Sequence, residues 1–165
     1  NNQFIGYGNE KAVNQLICHH SIIFEPKKKI VWVSTHPWQL GEYIAYDLNK
    51  IFAMKGLQQN HEIADAALTI KSDEFLQTTD YKSFIEFRKI KEKILNKETI
   101  DVAKFIKLNP EYYDTYVLAG NYWFDKKRYK IAKKQYQTAL TKEVATKYEI
   151  ENIKEKIEKC NKKLN

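Results

Sequence analysis

The sequence predicts an α+β fold, a short antiparallel β segment followed by a mainly helical half. Three observations carry that expectation. Residues 20 to 53 hold runs rich in β-branched and aromatic side chains around a proline-containing connector. From about residue 61 apolar side chains recur at helical spacing. Between 113 and 146, large and small residues follow one another in an order that suits two closely packed helices. The β-rich part is placed at 1–55 and the helical part at 56–165. With 165 residues and 43% apolar content, the chain is long enough to bury a core.

Within the β-rich part, His20 to Phe24 and Ile30 to Ser34 read as a hairpin joined by Glu25-Pro26-Lys27-Lys28-Lys29. Alternation puts Ile30, Trp32 and Ser34 on one face and Val31 and Val33 on the other, so both faces are expected to be buried near Trp32. His36 to Gly41 reads as a loop. A third strand is expected over about 42–48, where tyrosine and isoleucine are frequent and the hairpin needs a partner.

The helical half begins with Ile63, Ala66, Ala67 and Ile70 at helical spacing. Ser72-Asp73-Glu74 and Thr79-Asp80 offer caps to a helix through Phe84, Phe87 and Ile90 that ends near Asn96. A shorter helix from Thr99 to Leu108 is expected to bury Ile100, Ala103, Phe105 and Ile106. Asn109-Pro110 stops it. Ile150, Ile153, Ile157, Cys160 and Leu164 then mark one face of a last helix.

Tyr116, Gly120, Trp123, Tyr129, Ala132, Tyr136 and Ala139 match, in register, the size pattern of a tetratricopeptide repeat, a unit of about 34 residues. The stretch from 113 to 146 therefore resembles that helix-turn-helix hairpin. Gly120 and Ala132 let the two helices approach, the aromatic residues fill the remaining volume, and Ala139 leaves room for the next helix. The family usually has leucine where Ala119 stands, with Leu118 one place earlier. Residues 79–112 fit the pattern poorly, with Lys82, Glu86, Lys89 and Glu98 at positions that should be apolar or small. One good repeat, a degenerate helical pair before it and a capping helix after it are expected. One repeat cannot bury its own faces. The half would serve packing against its neighbours or docking of a protein partner.

Candidate chemistry is sparse. Cys18, His19, His20 and Ser21 are neighbours, but adjacent strand residues point to opposite faces, so one histidine is expected to be exposed. His36, Glu42, Asp47 and His61 could serve as ligands or acid-base groups, yet they lack metal-site spacing. The glycines are dispersed and form no phosphate loop. No catalytic, cofactor or metal site is expected, and Cys18 and Cys160 do not suggest a disulfide framework.

The runs His20 to Pro26, Val31 to Ser34 and Pro37 to Leu48 resemble the closing β segment of the acyl-coenzyme A:6-aminopenicillanic acid acyltransferase family. The resemblance implies a four-layer αββα hydrolase with an N-terminal nucleophile lying upstream of Asn1. Under it, this chain is the noncatalytic C-terminal part of an acyltransferase or amidohydrolase-like parent, and a start at asparagine suits a processed product or an excised piece. Its partner would be the upstream catalytic portion, and strand edges left open would invite dimerisation. The rival expectation is a standalone tetratricopeptide-like interaction module.

The formal net charge of +7 does not by itself point to nucleic acid. Arginine, whose planar fork suits phosphates and guanine edges, occurs only at 88 and 128. Lysine alternates with glutamate in Lys154-Glu155-Lys156 and Glu158-Lys159. Nucleic-acid binding is therefore not expected. The sequence also lacks an apolar run of about 18 residues, so no membrane span is expected.

Overall fold

The computed structural model describes residues 3–13, 15–56 and 62–164. By contact the chain divides into Leu16–Thr78 and a helical unit, the residues up to Gln15 together with those from Thr79 onward. This division differs from a boundary near residue 55. Two segments account for the difference: 62–70, which joins the strands, and 3–11, which joins the helices.

Strands β1 (Ile22–Glu25), β2 (Ile30–Ser34) and β3 (Tyr43–Asp47) form an antiparallel sheet in that order. The hairpin and the third strand are as the sequence predicts. Ile23 lies opposite Trp32, and Trp32 opposite Ala45. Asp47 ends the sheet and caps α1 (Leu48–Ala53), its carboxylate accepting from the Asn49 and Lys50 amides.

The segment expected to open the helical half is not a helix. Residues 62–65 are irregular and 66–68 form a turn. Ile70 exchanges two backbone hydrogen bonds of 3.0 Å with Tyr43, and the Asp65 amide donates to Ala45 O at 2.8 Å. The Trp32 indole N–H donates to Leu68 O at 2.8 Å. A spacing of three and four over so few residues cannot separate helix from irregular chain. Here the unpaired backbone groups along the outer edge of β3 decide the outcome, because they need partners.

No such seal is found on β1 among the described residues. The Ser34 amide donates to Ser21 O at 2.9 Å. With the register of the pair, this turns the backbone groups of Ile23 and Glu25 toward β2 and those of Ile22 and Phe24 outward. Ile22 and Phe24 are 52% and 65% exposed. They share a face with Val31, Val33, Ile44 and Tyr46, which are half-buried. Trp32 is half-buried as well, so the expectation of burial on both faces is met only in part.

The helical unit contains α2 (Thr79–Leu95), α3 (Val102–Leu108), α4 (Tyr113–Asp125), α5 (Tyr129–Ala139) and α6 (Lys147–Leu164). In α2, Phe84, Phe87, Ile90 and Ile94 form one buried stripe at intervals of three and four. Helix α3 starts later than Thr99, because Asp101 caps it by accepting from the Lys104 amide at 3.0 Å. That cap sets the phase. Val102 and Phe105 are buried, whereas Ala103 is exposed and Ile100 and Ile106 are half-buried. Phe87 stacks on Phe105 with centroids 4.8 Å apart, joining α2 and α3.

Helices α2 and α4 stop by the same device. Lys97 and Lys127 take φ of 61° and 58°. The next amides, Glu98 and Arg128, reach back to Lys93 O and Trp123 O, both at 2.9 Å. Helix α6 opens on Thr146, whose Oγ1 accepts from the Glu149 amide and donates to the Glu149 carboxylate. Ile153 and Cys160 are its buried residues, while Leu164 is 49% exposed.

Residues 3–11 pack on this unit through polar groups. The buried Asn109 side chain accepts from the Tyr7 amide at 3.1 Å and donates to Tyr7 O at 2.8 Å. Asn9, also buried, donates to Glu143 O at 2.9 Å, and the Tyr112 hydroxyl donates to the Glu10 carboxylate at 2.9 Å. Gly6, at φ +84°, lies where a Cβ would overlap the Tyr112 backbone.

This polar seam gives the protein an alkaline limit. Burial, then the hydrogen bond to Asp80 and its charge, push the Tyr7 phenol up to about 12. Burial likewise raises Tyr112, Tyr113 and Tyr136. Each holds its proton in the folded state beyond the pH of about 10 at which the unfolded chain gives it up. Their stabilisation is thus complete below about pH 10 and is lost as pH rises through the folded values. Thermal melts at increasing pH should show a falling midpoint from about pH 10 toward about 12; a constant midpoint across that window would contradict the packing.

Candidate functional site

Helix α4 packs closely on α5, and its sequence explains the contact. Gly120 faces the ring of Tyr136, and an added Cβ there would overlap three ring atoms. Phe124 and Tyr129 close the turn end edge to face, with centroids 5.2 Å apart. Of the seven repeat residues, Gly120, Ala132, Tyr136 and Ala139 are buried, and Tyr116, Trp123 and Tyr129 are half-buried. The hairpin thus has the close approach that its small residues predict.

On the side of α4 that faces α2 and α6 there is a cavity of about 410 Å³. Ile94 and Leu95 from α2 and Leu118 and Tyr122 from α4 supply apolar wall. The charged lining residues are Lys97 after α2, Asp125 at the end of α4, and Lys156 and Lys159 on α6. Asn121 also lines the cavity. Its Oδ1 accepts from the Tyr136 hydroxyl at 2.9 Å and from Lys156 Nζ at 3.1 Å. The Lys156 ammonium also lies 6.0 Å from the Tyr136 ring centroid.

Lys156 is half-buried, and burial pulls its pKa below the usual lysine value. Neighbouring Lys159 acts in the same direction, and Asp125 and Asp114 oppose it. Asp114 already pairs with Lys91 at 2.7 Å. Among the described residues Lys97, Lys156 and Lys159 join no ion pair. Sequence reading missed this group by treating Lys154 to Lys156 as diluted surface charge. The available signal was position: Lys156 lies three residues after Ile153 and four before Cys160, on the buried stripe of α6.

The other chemistry-bearing residues are brought together only loosely. His19, His20 and His36 line a depression of about 420 Å³ with Ser34, Thr35 and Trp38. All three histidines are exposed, both members of the His19-His20 pair included. Ser34 Oγ accepts from the Ser21 amide at 2.9 Å, and the Cys18 thiol donates to His20 O at 3.1 Å. Asp47 is occupied as the α1 cap, Glu42 is exposed, and His61 lies outside the described residues. No group of three or more His, Cys, Asp or Glu able to hold a metal ion occurs among the described residues. No helix of the described residues is long and apolar enough to cross a membrane. No protein family, curated protein or solved structure matches this chain.

Proposed function

We propose that this chain is a noncatalytic docking module whose helical unit receives a segment of a partner protein in the cavity beside α4. The observation that carries this reading is an apolar wall meeting lysines that join no ion pair among the described residues, in a cavity lined by α2, α4, α5 and α6. Such a surface suits a peptide with apolar anchors, where water is excluded from a few well-packed side chains. Panning an unbiased peptide library against the whole chain should yield binders. Their affinity should fall by about tenfold or more in Leu95→Glu, which places a charge at a wall position that is 62% exposed. A library without any binder sensitive to Leu95→Glu would overturn the reading.

A second reading concerns the strands and is favoured by the open β1 edge. In it the sheet is the closing edge of a larger β domain, in a parent of the acyltransferase or amidohydrolase type that residues 20–48 resemble. A strand on β1 would take up the outward amides of Ile22 and Phe24, whether from that parent or from a second copy. Hydrogen exchange at those two amides should then be slower in the full-length parent, or at high concentration of this chain, than in the dilute chain. Equal exchange in all three states would reject it.

A further inference from the structure

Resting on the docking reading, we infer that the occupant of the cavity beside α4 is an acidic peptide segment. Its carboxylates would meet Lys156, Lys159 and the Asn121 amide while its apolar residues lie on Leu95 and Tyr122. The charged lining residues are three lysines and one aspartate, Lys97, Lys156 and Lys159 against Asp125, a surplus of two positive charges. The nearby Asp114 offsets it only in part, since Lys91 also pairs with that carboxylate at 2.7 Å.

The hydrogen-bonding groups point the same way. Asn121 Oδ1 is used twice, by the Tyr136 hydroxyl and by Lys156. Its amide nitrogen makes no hydrogen bond among the described residues, so Asn121 offers the cavity donors only. Lysine likewise has donors and no acceptor. A ligand that satisfies this side must bring acceptors, and carboxylates supply them with a charge that the lysines lack locally. The half-buried position of Lys156 matters because a cation partly removed from water gains more from a counter-charge than one on an open surface. A basic segment would add to the existing repulsion, and a neutral one would leave it in place.

The probes are three labelled peptides of equal length, alternating leucine with glutamate, with glutamine or with lysine. The glutamate peptide should bind the whole chain about tenfold tighter than the glutamine peptide, and the lysine peptide should bind weakest. The preference should shrink as salt is raised. Lys159→Gln changes an exposed side chain and should reduce the preference while leaving the melting temperature in place. Lys156→Gln, whose folding is checked in the same way, should reduce it further. Equal affinity for the glutamate and glutamine peptides, with library binders still sensitive to Leu95→Glu, would overturn the acidic preference and leave docking standing. Loss of all Leu95-sensitive binding would overturn both.

Discussion

The contact between Gly120 and the ring of Tyr136 is the constraint on which the helical unit depends. It sets how closely α4 and α5 approach, and it fixes where the Tyr136 hydroxyl reaches. That hydroxyl donates to Asn121 at 2.9 Å, and the same Asn121 oxygen holds Lys156 of the last helix. A single small residue therefore links three helices. The Tyr136 bond to Asn121, between neutral groups, contributes modestly, about 0.5–1.5 kcal/mol. Ring burial adds about 1.5–3 kcal/mol on the scale for large apolar side chains. The placement of the cavity's polar side follows from these contacts.

Elsewhere the chain is organised by the need to pair backbone groups. The outer edge of β3 recruits residues 65–70 as a partial extra strand, although their composition would allow a helix. Segment 3–11 has little regular structure of its own and is held by Asn9 and Asn109, two buried side chains that bond to main-chain groups. Buried asparagines of this kind act as substitutes for a strand neighbour, satisfying groups that would otherwise be desolvated without partners. The edge of β1 lacks a comparable device among the described residues. Its outward groups and the exposed Ile22 and Phe24 make it the part of the sheet best suited to accept another strand.

Much of the fold was legible because local chemistry and packing agreed. Glu25 to Lys29 marked the hairpin, the spacing of Phe84, Phe87 and Ile90 marked α2, and the seven repeat residues marked α4 and α5. Failures came where a distant contact overruled a short pattern. The stretch that holds Ile63, Ala66, Ala67 and Ile70 is tied to β3 through Asp65 and Ile70, and the start of α3 was set by the Asp101 cap. The clasp of 3–11 was invisible, since nothing in Asn9 or Asn109 taken singly announces a partner far along the chain. Of the cavity lining, the seven-residue pattern marked Tyr136 alone. Asn121 and Lys156 went unmarked, because a polar side chain reveals its burial only once its neighbours are in place.

The most direct test of this account is the stability of Gly120→Ala. In a helix interior with free space around the α-carbon, alanine in place of glycine stabilises by about 0.5–1 kcal/mol. With the Tyr136 ring against Gly120 as found here, the added methyl overpacks a buried contact, and the expected change is a loss of about 1–3 kcal/mol. Denaturant unfolding of the two proteins decides between these signs. A destabilised variant supports the close approach of α4 and α5, and a stabilised one would contradict it.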